Sequence, residues 1–178
     1  MEEKILETRR LYLRRLTQED FDALCRTLQD PEAMYAYEHA FSDEEVQQWL
    51  DRQLDRYRQY GFGLWAVIEK PSGRFIGQCG LTMQDWDGRQ VLEVGYLLER
   101  QFWGQGYASE AAIACRDYAF SALHAEEVYS IIRDTNTASQ NVARRNGMTP
   151  AGRMVKHYYG MDMPHLVFRV AKKEQNQE

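Results

Sequence analysis

The sequence predicts an α/β domain with a mixed central sheet of about seven strands and with helices on both faces. Short runs rich in β-branched and aromatic residues alternate along the chain with longer runs of helical periodicity. The run Val91–Leu98 is mostly apolar, as expected of a strand that is covered on both faces. The 178 residues fit one domain, which we assign to residues 1–171, followed by a polar tail at residues 172–178.

Residues that begin and end helices mark the elements of the first half of the chain. Thr17 with Asp20, and Ser42 with Glu45, match the capping-box pattern, and Gly61 is typical of a residue just past a helix end. In order, we predict a strand at Arg9–Leu16, a helix from Thr17 that stops before Asp30, a short helical segment at Pro31–Ala40, a helix from Ser42 to Gly61, an antiparallel pair of strands at Leu64–Glu69 and Phe75–Thr82, and a loop at Gln84–Gln90.

The second half of the chain continues with alternating strands and helices. Small residues recur at helical spacing from Ala108 onwards, and Gly147 follows a short helical run. In order, we predict a strand at Val91–Leu98, a long helix from Ala108 to Leu123, a strand at Val128–Ile132, a short helix at Asn136–Asn146, and strands at Met154–Tyr159 and Leu166–Val170. The complete order is then β-α-α-β-β-β-α-β-α-β-β.

Composition argues against several classes of function. The 22 basic and 27 acidic side chains give a net charge of −5 and form no basic patch, so we expect no nucleic-acid partner. No signal-like or membrane-length apolar run is present, so we expect a cytoplasmic protein with no membrane partner. The cysteines Cys25, Cys79 and Cys115 are odd in number and far apart, and the four histidines are isolated, so we expect core thiols and no metal site.

The segment Gln101–Gly106 lies between a predicted strand and a predicted helix and contains two glycines. Glycine lets the backbone approach a ligand closely, and free N–H groups at a helix N-terminus attract anions, so the segment is suited to binding a phosphate. A P-loop would need Gly-Lys-Ser/Thr, whereas Tyr107-Ala108 follows Gly106. A dinucleotide fingerprint would need a third glycine where Ser109 stands, so that match is weak. A glycine-containing turn without a ligand is the alternative.

A third kind of phosphate-binding loop fits in full. Gln101-x-x-Gly104-x-Gly106 resembles the Gln/Arg-x-x-Gly-x-Gly/Ala loop of the GNAT N-acetyltransferases, which holds the pyrophosphate of acetyl-CoA. The resemblance extends from Arg9 to Val170. Further runs, in the expected order, resemble the RimJ/RimL-like branch of that family: Leu11-x-Leu13-Arg14, Phe75-Ile76-Gly77-x-Cys79-Gly80, Glu93-Val94-Gly95-Tyr96, Trp103-Gly104-x-Gly106-Tyr107-Ala108-x-Glu110-Ala111 and Asn136-x-x-Ser139-x-x-Val142-x-x-x-x-Gly147.

The resemblance implies an acetyl-CoA-dependent N-acetyltransferase that transfers acetyl directly to a primary amine. The acceptor would be either a protein N-terminus, such as that of a ribosomal protein, or a small amine. No cysteine occupies a motif position, so we expect direct attack rather than an acetyl-cysteine intermediate. The resemblance also implies one GNAT domain without a metal and suggests a homodimer. A catalytically silent module that binds or senses acyl-CoA on the same fold is the alternative.

Carried over by position, the resemblance assigns residues to acetyl-CoA. Backbone groups of the strand at Val91–Leu98 would pair with the pantetheine arm, and those of the following loop would bind the pyrophosphate. The helix at Asn136–Asn146 would meet the cofactor arm and its phosphates, although an Arg on an exposed helix face is often simply solvated. The cofactor-binding residues are then Tyr96, Leu97, Leu98, Gln101, Phe102, Trp103, Gly104, Gln105, Gly106, Tyr107, Ala108, Asn136, Asn141 and Arg144.

Two residues are candidates for proton transfer. Many members of the family place a Tyr seven residues after the Asn of the last motif to protonate the departing thiolate, but Ala143 occupies that position here. In the RimJ/RimL-like branch a Ser three residues after the Asn takes this role, which assigns it to Ser139. The alternative is a serine that satisfies a backbone N–H at the helix start.

The candidate base is Glu93, the one acidic residue within the central strand. A carboxylate desolvated in a strand interior would have a raised pKa, which suits a base for amine chemistry. The alternative is a Glu93 that faces solvent or forms a structural pair.

The acceptor pocket of this fold is lined by the first two helices, the loop at Gln84–Gln90 and the last two strands. Aromatic walls with carboxylates suit a cationic amine, through cation–π contacts and ion pairing. For any single aromatic residue, a place in the core is the alternative. The residues that we assign to the acceptor are Tyr37, Glu38, Trp86 and Tyr158.

Overall fold

The computed structural model describes residues 3–37, 39–158 and 160–172, which contain an eight-stranded sheet. In chain order the strands are β1 (Lys4–Glu7), β2 (Leu11–Arg14), β3 (Leu64–Glu69), β4 (Arg74–Trp86), β5 (Arg89–Leu98), β6 (Glu127–Arg133), β7 (Thr149–Tyr158) and β8 (Met161–Ala171). Their spatial order is β1-β2-β3-β4-β5-β6-β8-β7. Every neighbouring pair is antiparallel except β5 and β6, which are parallel, so the sheet is mixed as predicted.

The helix Asp43–Tyr60 begins and ends where its terminal residues predict, whereas the helix predicted from Thr17 starts with a 3₁₀ turn. The predicted helical segment Pro31–Ala40 contains only a 3₁₀ turn, at Tyr35–Tyr37, among its described residues. Ser42 Oγ accepts a hydrogen bond from the N–H of Glu45, and the N–H of Ser42 donates to Glu45 Oε1 at 3.1 Å, which completes the predicted capping box. The same helix ends at Gly61, whose φ of 80° lies in the left-handed region. The α-helices of the described residues are α1 (Phe21–Leu28), α2 (Asp43–Tyr60), α3 (Tyr107–Ser121) and α4 (Thr137–Arg145), with short 3₁₀ turns at Gln18–Asp20, Tyr35–Tyr37 and Arg100–Phe102.

Helices cover both faces of the sheet, as predicted. Gln78 and Cys79 are neighbours on β4 and therefore point to opposite faces. Gln78 Oε1 accepts a hydrogen bond from Trp49 Nε1 of α2 at 2.8 Å, whereas Cys79 Sγ lies 3.6 Å from Cys115 Sγ of α3. Helices α1 and α2 thus share one face, and α3 and α4 share the other. Both thiols are free and buried in the core.

Two strand predictions were incomplete. The first strand, β1, was missed because Lys4–Glu7 has only four residues, two of them charged, and periodicity cannot identify so short a run; its pairing with β2 holds it in the sheet. The strands β7 and β8 are longer than the predicted Met154–Tyr159 and Leu166–Val170. Tyr159, and residues 173–178 of the predicted tail, lie outside the described residues.

The predicted loop at Gln84–Gln90 was wrong. Strands β4 and β5 continue to Trp86 and from Arg89, so they form one long hairpin joined by the two residues Asp87 and Gly88. Both of these residues have a left-handed φ, of 52° and 74°, as a type I′ turn requires. Asp-Gly is a strong sequence signal for such a turn, so the sequence contained the information needed for the correct assignment.

Within the described ranges, none of the helices combines the length and the apolar character needed to cross a membrane.

Candidate active site

The parallel strands β5 and β6 separate after a single register pair, which joins Glu93 to Tyr129. The Glu93 carboxylate then takes the place of a backbone partner, since its Oε2 accepts the N–H of Ile131 at 2.6 Å. One residue further along each strand, Ser130 Oγ donates to the carbonyl of Val94 at 2.8 Å. Beyond these contacts the strands diverge and leave a wedge-shaped gap, which we call the wedge.

A first cavity of about 340 Å³ occupies the wedge on the side of α3 and α4. Gly104 and Gly106, between β5 and α3, have left-handed φ values of 73° and 81°, and Gly106 is the residue that begins α3. These conformations direct backbone of the loop towards the cavity at a helix N-terminus, where anions bind favourably. Eleven of the predicted cofactor-binding residues line it: Tyr96, Leu97, Leu98, Phe102, Trp103, Gly104, Gly106, Tyr107, Ala108, Asn136 and Asn141.

Three predicted cofactor residues, Gln101, Gln105 and Arg144, are not among the described residues that line this cavity. The amide of Gln101 donates to Glu99 Oε2 at 3.0 Å, and that of Gln105 donates to the carbonyl of Gln101 at 3.1 Å, so both side chains brace the loop itself. Arg144 Nη1 donates to Asn141 Oδ1 at 3.2 Å, and its guanidinium stacks over the Phe168 ring.

Sequence reasoning missed two polar residues of the first cavity, Arg145 and Ser109. Arg145 is exposed, directly follows Arg144 on α4 and supplies a positive charge to the cavity. Ser109 Oγ is buried and has no hydrogen-bond partner among the described residues, although it lies in the first turn of α3. A buried hydroxyl without a partner is costly, and a phosphate or amide group of a bound ligand would satisfy it. The residues present therefore fit an anionic, pyrophosphate-bearing ligand.

A second cavity of about 140 Å³ adjoins the first on the side of α2. The two cavities share the side chains of Tyr96 and Ser139 in their walls, together with Ala33, Leu97 and Asn136. Tyr96 is half-buried, and its hydroxyl donates to the backbone carbonyl of Ser139 at 2.7 Å, which ties β5 to the start of α4. The predicted catalytic residues Glu93 and Ser139 both line this second cavity, so the fold brings them to one chamber.

Ser139 lies in the first turn of α4 with its hydroxyl unused. Asn136 begins this helix, and its Oδ1 accepts the N–H of Ser139 at 3.1 Å. The capping role is thus filled by Asn136, and the Ser139 hydroxyl has no hydrogen-bond partner within the described residues. The hydroxyl is free to act on a ligand at the boundary of the two cavities.

Glu93 is half-buried in the wedge. Burial raises the pKa of Glu93 above its ordinary value of 4.5, while the positive charge of Lys156 and the N–H of Ile131 oppose this shift. A carboxyl group with a raised pKa accepts a proton from an ammonium group more readily than an exposed one does. Glu93 therefore has the environment that a general base needs.

A third cavity of about 340 Å³ lies beyond the second and shares Tyr37 and Tyr158 with it. Burial strongly raises the pKa of Tyr37, so its hydroxyl remains protonated. These two residues were predicted to contact the acceptor, and the fold brings both to the passage between the cavities. Glu38, also predicted, lies outside the described residues.

Trp86, the fourth predicted acceptor residue, lies near the turn of the β4–β5 hairpin. Its ring centroid is 5.8 Å from that of Tyr129, and its Nε1 donates to the carbonyl of Arg153 at 3.2 Å. Its indole also packs so closely on Gly152 that a Cβ there would lie 2.5 Å from the ring. Trp86 lines none of the three cavities formed by described residues, and its contacts are those of a packing residue.

Sequence reasoning also missed three ionisable residues of the second cavity, Arg133, Lys156 and His165. His165 is buried, and its Nδ1 lies 2.7 Å from the carbonyl of Met163. A carbonyl only accepts hydrogen bonds, so Nδ1 carries the proton and Nε2 is left as an acceptor. Burial lowers the pKa of His165, and Lys156 and Arg133 lower it further, which keeps the ring neutral.

Known proteins are similar to this chain in sequence and in fold. A family model described as an acetyltransferase (GNAT) domain matches residues 10–149. The YkkB protein of Bacillus subtilis is 35% identical over 144 residues, which cover 80% of this chain and 84% of that protein. The N-acetyltransferase p20 of Bacillus licheniformis is 33% identical over 136 residues, which cover 75% of this chain and 76% of that protein.

Among solved structures, the ribosomal-protein N-acetyltransferase RimL in complex with coenzyme A has the same fold. Its TM-score is 0.76, at 20% identity, over 95% of this chain and 98% of that chain. The matched family model spans most of the chain, and the relatives just described span most of their own length. This chain belongs to the GNAT acetyltransferase family and is an N-acetyltransferase.

Proposed function

We propose that this protein transfers an acetyl group from acetyl-CoA directly to a primary amine, within one acetyltransferase domain at residues 1–171. The main observation that supports the proposal is that the first and second cavities share part of their walls. A thioester entering from one side and an amine entering from the other would meet there, beside the Ser139 hydroxyl and within the chamber that Glu93 lines. Holding two reactants in such proximity removes much of the entropic barrier to their reaction.

Acetyl-CoA is assigned to the first cavity. The loop at Gly104 and Gly106, the hydroxyl of Ser109 and the guanidinium of Arg145 would bind its phosphates. Its pantetheine arm would pair with the edge of β5 that β6 leaves uncovered, near Tyr96 and Leu97. RimL, which has the same fold, was solved with coenzyme A, and this supports the assignment.

Glu93 would accept the proton that turns the ammonium group of the acceptor into a reactive amine, and then release it to solvent. The nitrogen forms the new C–N bond with the thioester carbonyl, whose oxygen would be polarised by a β5 backbone N–H near Tyr96 or Leu97. The C–S bond then breaks, and the Ser139 hydroxyl protonates the departing thiolate. The second proton lost by the nitrogen restores the Ser139 hydroxyl, so the atoms and charges balance.

The test is the release of free thiol from acetyl-CoA by the purified protein, with and without amines, alongside acetyl-CoA binding by calorimetry. The amine panel contains short peptides, polyamines, amino sugars and amino acids. We expect thiol release that depends on an amine and yields an acetylated product of matching mass. Tight binding without turnover on any amine would favour the silent acyl-CoA-binding module. Absence of binding would contradict the assignment of the first cavity.

A further inference from the structure

The second cavity contains a positive charge, that of Lys156, which has no direct ion-pair partner among the described residues. Lys156 on β7 is half-buried and lines this cavity, and it forms no ion pair or hydrogen bond with any described residue. An ammonium group has three N–H donors, and those of Lys156 are available to a ligand. Its position in a ligand cavity suggests that the partner is part of the ligand.

The register of the sheet places Lys156 on the same face as Glu93 and His165. Residues paired across antiparallel strands share a face, and Lys156 pairs with Met163, two residues before His165 on β8. His165 cannot neutralise Lys156, since an imidazole ring is either neutral or cationic, and its Nδ1–H is used by the Met163 carbonyl. The carboxylate of Glu93 is the one acidic group among the described residues of this cavity, and Ile131 already donates to it.

The other charged groups of the second and third cavities do not offset the positive charge of Lys156. Arg133 also lines the second cavity, and its Nη1 donates to the carbonyl of Tyr35, which fixes the 3₁₀ turn above the cavity. In the third cavity, Arg52 forms no ion pair with any described residue. The single described carboxylate there, Glu45, is already engaged by the N–H of Ser42 and by His39 at 2.8 Å.

We propose that the acceptor is a primary amine that carries an anionic group a few bonds from its nitrogen, and that Lys156 binds this anion. The inference rests on the proposed acetyl transfer and specifies its substrate class. The amine end would lie near Glu93 and the lone pair of His165 Nε2, and the anion near Lys156. A polyamine would instead bring a second positive charge towards Lys156, which is unfavourable at close range.

The proposed acceptor carries either a carboxylate or a phosphate beside its amine. Matched pairs of amines distinguish these two anions. One pair is an α-amino acid and its amide, and a second is an aminoalkyl phosphate and the corresponding amino alcohol. A third pair is a peptide with an acidic second residue and its neutral counterpart, and a linear polyamine completes the panel. The anion also changes the pKa of the neighbouring amine, so the ratio of kcat/KM values within each pair is compared between the wild type and the Lys156 variants, where that difference cancels.

We expect at least one anionic member to exceed its neutral partner by about tenfold to a hundredfold, as for a hydrogen bond between charged groups. Lys156→Gln should abolish this preference, Lys156→Arg should retain most of it, and Lys156→Glu should shift preference towards the polyamine. The preference ratio is independent of any effect of Lys156 on Glu93, because both members of a pair use the same base. Arg153→Gln removes one exposed charge from the opposite face of β7 and is the matched control.

The outcomes separate this inference from the proposed function. Acetylation that is equally fast for charged and neutral partners, or fastest for the polyamine, would overturn the inference and leave acetyl transfer intact. A strong anion preference that survives in Lys156→Gln would also overturn it, because another group would then bind the anion. Binding of acetyl-CoA without acetylation of any amine would instead contradict the proposed function.

Discussion

The first and second cavities of the wedge are lined by different kinds of residues. The first cavity is lined mainly by two stretches of the chain, one from β5 into α3 and one along α4, with the left-handed Gly104 and Gly106 between β5 and α3. The second is lined by ionisable side chains from four strands, namely Glu93, Arg133, Lys156 and His165. A glycine-containing loop at a helix N-terminus suits a ligand that stays the same, whereas a site of ionisable side chains can be altered by single substitutions. We therefore expect acceptor chemistry and acetyl-CoA binding to respond to different substitutions.

The largest effect should come from Glu93→Gln, on the second cavity. The amide retains an acceptor for the N–H of Ile131 but cannot take a proton. We expect kcat to fall by about 10²- to 10⁴-fold, as for the loss of a general base, with acetyl-CoA affinity unchanged within about twofold. Steady-state kinetics and calorimetry measure the two quantities separately. An equally large loss of acetyl-CoA affinity would show that the first and second cavities do not act separately.

Thermal unfolding of Glu93→Gln provides the control for folding. Burial raises the pKa of Glu93, so the folded state favours its protonated form and loses stability as pH rises from 4.5 through the folded-state pKa. The amide carries no such cost. The melting temperatures of the variant and the wild type should coincide below pH 4.5, and the variant should be the more stable one above that range.

A smaller loss is expected for Ser139→Ala, at the boundary of the cavities. The substitution removes a hydroxyl that has no hydrogen-bond partner among the described residues, and Asn136 still begins α4, so the fold should be unaffected. We expect kcat to fall by about a hundredfold, since the departing thiolate loses its proton donor. Ser121→Ala, which removes an exposed hydroxyl that bonds the Asp117 carbonyl, is the matched control and should keep full activity. Full activity in both variants would show that water protonates the thiolate.

The smallest effect, on the first cavity, should come from Gly106→Ala. Alanine at a φ of 81° is strained by about 1–2 kcal/mol, and relief of that strain would move the loop away from the phosphates. We expect acetyl-CoA affinity to weaken by about tenfold, with the preference among amines unchanged. Gly73→Ala imposes a similar strain at a φ of 68° in the β3–β4 turn and should lower stability alone. Equal acetyl-CoA affinity in both variants would contradict the role of the loop.

The same contrast explains what could be predicted from the sequence. The loop at Gln101–Gly106 and the strand with Glu93 are contiguous, so their motifs placed the first cavity and the candidate base. Lys156 and His165 have no local pattern, because they meet Glu93 only through the pairing of four strands. Trp86 was predicted to contact the acceptor because the Asp87-Gly88 turn was overlooked. The β4–β5 hairpin places the Trp86 indole near its turn, beside the Tyr129 ring.

The most direct test of the account is the pH dependence of kcat/KM for the amine at saturating acetyl-CoA, in the wild type and in Glu93→Gln. Wild-type activity should fall tenfold per pH unit only below the raised pKa of Glu93, whereas the activity of the variant, which depends on the neutral amine, should fall tenfold per pH unit already below the higher pKa of the amine. The two profiles differ because only the wild type has a base that deprotonates the bound ammonium group. An identical acidic limb in the two proteins would contradict the assignment of Glu93 as the base in the wedge.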